Sequence, residues 1–136
     1  MYSRVRSRQK SESLQFLEVL ELQGNNLSGR IPYQISHLSS LQVLNLSCNS
    51  FSGSIPDELI GSGRLRVIDL SNNQLSGRIR VNRFGRCEFL NHLKLSDNFL
   101  VNNIPPEVGK CSNLRTLLLN GNILEGRIPV RDGPDF

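Results

Sequence analysis

The segment LQVLNLSCNSFSGSIP, which spans Leu41–Pro56, decides the fold because the chain carries five versions of it. The shared pattern is LxxLxLxxNxLxGxIP, with small departures, and successive copies are spaced by 24, 24, 25 and 24 residues. The copies begin at Leu17, Leu41, Leu65, Leu90 and Leu114. Chance does not align a pattern of this length five times, so the sequence predicts a protein built from repeats.

Alternating apolar residues in the LxL part of each copy predict a short strand with one face inward. Stacked in register about 4.8 Å apart, these strands form a parallel sheet. Its inner rows are Leu20, Leu44, Ile68, Leu93 and Leu117, and Leu22, Leu46, Leu70, Leu95 and Leu119. No single repeat buries its leucines alone, so stability depends on neighbouring repeats. We therefore predict a solenoid of about five repeats, with short parallel strands on the concave face and 3-10 or loop segments on the convex face.

An asparagine follows each predicted strand, where the chain must turn inward. A buried turn leaves backbone N–H and C=O groups without partners, which is costly. An amide side chain both donates and accepts hydrogen bonds, so it can satisfy those groups from within the core. We therefore predict a structural ladder formed by Asn25, Asn49, Asn73, Asn98 and Asn122.

The glycine and proline of the pattern allow a backbone bend and end the extended piece after the asparagine. Two copies depart here: Asn102 replaces the glycine of the fourth copy, and Arg80 replaces the proline of the third. The third copy also holds the extra residue, between Arg80 and Leu90. We expect its convex segment to be locally irregular.

The net charge of +4 comes from the first ten residues, because residues 11–136 carry 12 basic and 12 acidic side chains. A basic segment of this size does not predict nucleic-acid binding. We expect a disordered basic leader over residues 1–10, the solenoid over 11–129 and a truncated tail over 130–136. No window reaches the ~18 apolar residues of a membrane span, and residues 1–10 lack the apolar stretch of a signal peptide.

The SGxIP element, present as Ser28–Pro32 and Ser52–Pro56, is typical of the plant-specific leucine-rich repeat. The chain resembles ectodomains of plant receptor-like kinases and receptor-like proteins, and the resemblance implies a leucine-rich-repeat solenoid, of the α/β class by convention. LEVLELQGNN (residues 17–26) and GNILEGRIP (residues 121–129) most resemble receptor-like kinases tied to abscisic-acid responses and embryo patterning. Such ectodomains bind peptide hormones, steroids or other receptor ectodomains on the extracellular side of the plasma membrane.

Family members pass the binding event to a cytoplasmic kinase through one membrane helix and carry cysteine pairs as caps. This sequence contains no kinase motif and no such cysteine pairs, so we expect a fragment of a receptor-type protein. An uncapped solenoid presents strand edges and bare leucines at its ends. We therefore expect end-to-end self-association, aggregation or fraying from the fifth repeat.

Strand residues between the leucines should face solvent on the concave sheet. Their middle row changes from acidic through basic to apolar, and with His92 from the next row it is the candidate ligand or co-receptor footprint. The candidate residues are Glu21, Asn45, Asp69, His92, Lys94 and Leu118. The alternative is a solvated sheet face whose identities do not matter. An arginine-rich third repeat is a further candidate for an acidic peptide, with solvated surface charge as its alternative.

The three cysteines form no CxxC motif and predict neither a zinc site nor a disulfide framework. Cys87 and Cys111 occupy equivalent positions and are interpreted as free, packed thiols. The alternative is a disulfide between adjacent repeats, whose geometry the sequence does not establish. Cys48 should lie nearer the surface. Asn26-Leu27-Ser28 and Asn45-Leu46-Ser47 are N-glycosylation sequons, which makes Asn26 and Asn45 candidates in a secreted chain.

Catalysis is not indicated, because His37 and His92 lie in separate repeats and neither HExxH nor GxSxG is present. We predict no enzyme activity, cofactor or metal. The predicted function is protein or peptide binding by a receptor-derived module, with a peptide or another receptor ectodomain as partner. A non-signalling soluble structural or decoy fragment and an intracellular repeat protein are the alternatives.

Overall fold

The computed structural model describes residues 14–130, so the predicted leader (residues 1–10) and most of the predicted tail (residues 131–136) lie outside the described residues. Ten short strands follow one another along the described chain. They are β1 Val19–Glu21, β2 Ser28–Arg30, β3 Val43–Asn45, β4 Ser50–Ser54, β5 Val67–Asp69, β6 Gln74–Gly77, β7 His92–Lys94, β8 Phe99–Asn103, β9 Thr116–Leu118 and β10 Ile123–Glu125. Two 3-10 helices, Tyr33–His37 and Pro106–Lys110, also lie within residues 14–130.

The odd-numbered strands form the predicted parallel sheet, in the order β1-β3-β5-β7-β9. Each strand pairs with the equivalent strand of the next repeat, so that Leu44 lies opposite Ile68 and Ile68 lies opposite Leu93. All three side chains are fully buried. The prediction of a parallel-strand solenoid is confirmed.

A second parallel sheet, in the order β10-β8-β6-β4-β2, was not predicted. Its strands contain the serine and glycine of the SGxIP element, so this part of the pattern adds a sheet to the flank of the solenoid. The glycine position has a positive φ in each repeat, +76° at Gly53 and Gly77. Asn102 replaces the glycine in the fourth repeat and keeps φ at +67°, because asparagine tolerates the left-handed region better than other side chains.

The asparagines at the end of each concave strand join the repeats by hydrogen bonds. The Asn73 amide donates to the Leu46 carbonyl of the preceding repeat at 3.0 Å and to the Leu70 carbonyl of its own repeat at 3.0 Å. Its Oδ1 accepts from the Phe51 N–H at 2.9 Å. Asn49, Asn98 and Asn122 make the same type of contact, while Asn25 donates to the carbonyls of its own repeat. Each such amide satisfies backbone groups that the inward turn removes from solvent.

The convex side is different in successive repeats. The first and fourth repeats contain the 3-10 helices, each preceded by a proline of the SGxIP-type element, Pro32 and Pro105. The third repeat, which lacks that proline, has no helix between Arg78 and Leu90 and contributes only an isolated bridge from Val81 to Ile60. The expected irregularity of this segment is therefore present.

The interpretation of Cys87 and Cys111 as free thiols is wrong, because the two residues form a disulfide. Their Cα atoms lie 4.6 Å apart in the convex segments of the third and fourth repeats, and both side chains are buried. Adjacent positions in a tightly stacked solenoid bring the two sulfurs together. Cys48 is the free cysteine of the described chain and is exposed, as predicted.

Candidate functional site

The candidate residues lie on two neighbouring rows of the concave sheet. Strand register places Asp69 beside Asn45 on one side and Lys94 on the other, and it places Lys94 beside Leu118. Glu21 and Leu118, at the two ends of the middle row, are exposed, whereas Asn45, Asp69 and Lys94 are half-buried. In successive repeats the row is therefore acidic, polar, acidic, basic and apolar.

Hydrogen bonds from serines hold two side chains of this row in place. Asp69 Oδ1 accepts from the Ser71 N–H at 3.1 Å and from the Ser71 hydroxyl at 2.5 Å. Asn45 Oδ1 accepts from Ser47 in the same way, at 3.0 Å and 2.7 Å. Sequence reasoning missed this arrangement, although the spacing of two residues between the Asx side chain and the serine is a signal for it.

Asp69 and Lys94 are cross-strand neighbours of opposite charge without a direct ion pair. Among residues 14–130 the one ion pair within 4.0 Å joins Arg80 to Asp57 on the convex side. The carboxylate of Asp69 keeps a fixed orientation through Ser71, and the ammonium of Lys94 has no described carboxylate within that distance. Both charges are thus available to a partner that lies along the sheet.

His92 occupies the row next to Asp69 and Lys94 and does not pair with Asp69. Its strand neighbour on that side is Val67, and its Nδ1 lies 2.9 Å from the hydroxyl of Thr116 in the fifth repeat. The strand register therefore places His92 opposite Val67, and it places Lys94 opposite Asp69. A His–Asp pair suited to proton transfer is not formed at this site.

The third row of the concave face is less open than the strand pattern predicts; it consists of Gln23, Ser47, Ser71, Ser96 and Asn120. Ser47 and Ser96 are buried, and Ser96 donates its hydroxyl hydrogen to Asn120 Oδ1 at 2.6 Å. The Ser47 hydroxyl donates to Asn45 of the middle row, whereas the Ser96 hydroxyl is engaged by Asn120 of its own row, so neither serine is presented to a partner. The accessible part of the candidate footprint is consequently the middle row together with His92.

A second surface opens on the convex side, where the third repeat departs from the pattern. A groove of about 940 Å³ lies there, and its walls include Arg78, Arg80, Arg83, Phe84, Asn102 and Glu107. Arg83 stacks on the ring of Phe84, with its Cζ 5.0 Å from the centroid. Four carboxylates, those of Asp57, Glu58, Glu107 and Glu125, also line the groove. The arginines alone would favour an acidic peptide, but these carboxylates would repel one. The groove therefore does not match the acidic peptide that the sequence suggested.

The two sequons differ in accessibility. Asn26 is exposed, in the left-handed region with φ at +56°, and it lies in the turn between β1 and β2. Asn45 is half-buried within β3, between neighbouring strands on both sides. The described residues contain no group of three or more His, Cys, Asp and Glu side chains that could hold a metal ion. Residues 14–130 also contain no apolar helix of the length that a bilayer requires.

Comparison with known proteins agrees with this architecture. Residues 13–75 and 89–111 match two family models, both described as leucine-rich repeat, which together cover more than half of the chain. No curated protein matches the chain.

The chain is similar to several solved structures of proteins from Arabidopsis thaliana. It is 44% identical to a chain of the BIR3–SERK2 complex (TM-score 0.73, covering 81% of this chain and 58% of that one). It is 43% identical to the BIR2 ectodomain (TM-score 0.73, 81% and 57%). It is 37% identical to a chain of the receptor kinase HAESA complex with the peptide hormone IDA and the co-receptor SERK1 (TM-score 0.76, 88% and 20%). The chain thus spans less than two thirds of each.

Proposed function

Because the chain belongs to the leucine-rich-repeat family, we propose that it is a binding module that recognises another receptor ectodomain or a peptide on its concave face. Two similar structures contain a partner of this type: BIR3 is in complex with SERK2, and HAESA is in complex with IDA and SERK1. By the same likeness, we place the chain on the extracellular side of the plasma membrane. Its role is recognition, and catalysis is not part of it.

The observation that carries the proposal is the middle row of the concave sheet. Five strands stacked about 4.8 Å apart present five different side chains in one line, Glu21, Asn45, Asp69, Lys94 and Leu118. A surface without a specific partner does not require fixed orientations, yet Ser71 holds the carboxylate of Asp69 with two hydrogen bonds. Fixed polar groups lose little entropy when a partner binds, which favours affinity.

Opposite charges in adjacent repeats give the row polarity along the solenoid. A partner with a basic group over Asp69 and an acidic group over Lys94 gains two charge-assisted hydrogen bonds, and the reversed orientation meets two repulsions. The apolar end of the row at Leu118, 43% exposed, offers a contact of different chemistry. The row thus distinguishes both the composition and the direction of a partner.

Biolayer interferometry with the purified chain tests the proposal. The SERK2 ectodomain and the IDA peptide serve as separate probes, and at least one should bind with Kd on the order of 1 μM or tighter. The Asp69→Ala/Lys94→Ala variant, checked for folding by circular dichroism, should lose at least tenfold in affinity. The absence of any response from the folded chain, up to roughly 100 μM of either probe, contradicts the proposal.

A further inference from the structure

We propose that Asn26 carries an N-linked glycan and that the second sequon, at Asn45, stays unmodified. The inference rests on the extracellular location in the proposed function, and it concerns a surface that the concave footprint does not include. Asn26 and Ser28 are both exposed, and Ser28 begins β2, the edge strand of the second sheet.

The turn that contains Asn26 is rigid, while its side chain is accessible. Leu27, the middle residue of the sequon, donates its N–H to Asn49 Oδ1 at 2.9 Å and accepts at its carbonyl from the Ser50 N–H at 2.7 Å. The backbone between the acceptor and the hydroxyl residue is therefore fixed by the neighbouring repeat. Within residues 14–130, no hydrogen bond engages the amide of Asn26 or the hydroxyl of Ser28.

The sequon at Asn45 has the opposite properties. Its hydroxyl residue, Ser47, is 8% exposed, and the Ser47 hydroxyl donates to Asn45 Oδ1 at 2.7 Å. Asn45 also lies between Glu21 and Asp69 on adjacent strands. An oligosaccharide at this position would have to cover both neighbours in the polar row. The hydroxyl and the acceptor amide are thus occupied with each other inside the sheet.

The surroundings of Asn26 also suit a sugar. Asn26 directly follows a ladder asparagine, and the equivalent residues of the later repeats are Ser50, Gln74, Phe99 and Ile123. Asn26, Ser50 and Gln74 are polar, whereas Phe99 and Ile123 are apolar and 55% and 62% exposed. This position of the repeat is therefore polar in the first three repeats, where Asn26 lies, and apolar in the fourth and fifth.

The modification is a group transfer from a lipid-diphosphate-linked oligosaccharide. The Asn26 Nδ2 forms a bond to the anomeric carbon of the first sugar, the bond from that carbon to the diphosphate oxygen breaks, and the lipid diphosphate leaves. The amide nitrogen loses one proton, and no oxidation or reduction takes place. The product keeps Oδ1 and one N–H, so the turn retains its polar groups.

Translation of the full chain behind a cleavable signal sequence, with endoplasmic-reticulum microsomes, tests this assignment. Protease protection identifies the translocated chains, and only these are scored for an endoglycosidase-sensitive mobility shift. A single shift is expected in the wild type and in Asn45→Gln, and it should fall to background in Asn26→Gln and in Ser28→Ala. The last variant keeps the asparagine and removes only the hydroxyl.

Three results would overturn the proposal: a shift that survives Asn26→Gln, a double shift in the wild type, or translocated wild-type chains with no shift. The assay does not depend on any binding partner. A mobility shift at Asn26 together with no binding of either probe contradicts the proposed function alone. Binding of a probe together with translocated wild-type chains that show no shift contradicts this inference alone.

Discussion

On the concave side, all five strands are three residues long and pair without interruption, whereas the convex side changes from a 3-10 helix to turns, an isolated bridge and back to a 3-10 helix. The two sides differ in what they require. The three inner concave strands must satisfy backbone hydrogen bonds to both neighbours, and the turns that follow the strands must satisfy those to the asparagine ladder. The convex segments need only supply buried apolar side chains, such as Leu59, Val81 and Val108. Hydrogen bonding therefore enforces the repeat on one side, and packing permits variation on the other.

Truncation of buried leucines on the two sides should show the largest effects. Leu93 and Leu59 are both fully buried, on the concave and convex side respectively. Each Leu→Ala change should cost about 2–5 kcal/mol in unfolding free energy, and Leu93→Ala should cost more, because the paired sheet cannot collapse into the cavity. Urea denaturation of both variants measures the difference. A greater loss in Leu59→Ala would mean that the convex segment is the more rigid of the two.

The disulfide should stabilise the irregular convex side. Replacing Cys87 and Cys111 together by alanine removes a link between the third and fourth repeats, and the expected loss is about 2–4 kcal/mol. Thermal unfolding of the double variant, beside Cys48→Ala as the control for an exposed thiol, measures the effect. Identical midpoints for the double variant and the wild type would show that packing alone holds these segments.

Removal of one ladder amide tests the role of hydrogen bonding on the concave side. Asn73→Ala leaves the Phe51 N–H and the Leu46 carbonyl without a side-chain partner, which should cost about 1–3 kcal/mol. The neighbouring Gln74→Ala is the matched control, because its amide side chain is exposed. Urea unfolding should separate the two variants. If they unfold at the same concentration, the ladder does not contribute to stability.

The difference between the two sides also determines what could be read from the sequence. The spacing of the leucines and asparagines predicts the concave sheet, because that geometry depends on a strict period. The second sheet was missed because its sequence, SG followed by a variable residue, contains no alternating apolar pattern. The disulfide was misread, since equivalent positions of two cysteines establish proximity but not bonding.

The candidate site was predictable only in part. The repeat alignment alone gives the residues of the middle row and the order of their charges along the solenoid. The half-buried state of Asp69, its contacts with Ser71 and the position of His92 beside Thr116 depend on side-chain orientation and strand register. The resemblance to kinases tied to abscisic-acid responses stays a prediction.

Surface substitutions should have the smallest effect on stability and the most informative effect on binding. Lys94 lies on the concave face, and Arg83 lines the convex groove. Truncating either cation should change the unfolding free energy by no more than about 0.5 kcal/mol, since neither makes an ion pair among the described residues. Both variants therefore remain folded, and circular dichroism melts check that they do.

Biolayer interferometry of these two variants side by side, with whichever of the SERK2 ectodomain and the IDA peptide binds the wild type, tests the central claim that recognition belongs to the concave face. Lys94→Ala should weaken binding about tenfold or more, which corresponds to about 1.4 kcal/mol, while Arg83→Ala should bind like the wild type. A loss confined to Arg83→Ala, with Lys94→Ala unchanged, would contradict the account and transfer the binding surface to the convex groove.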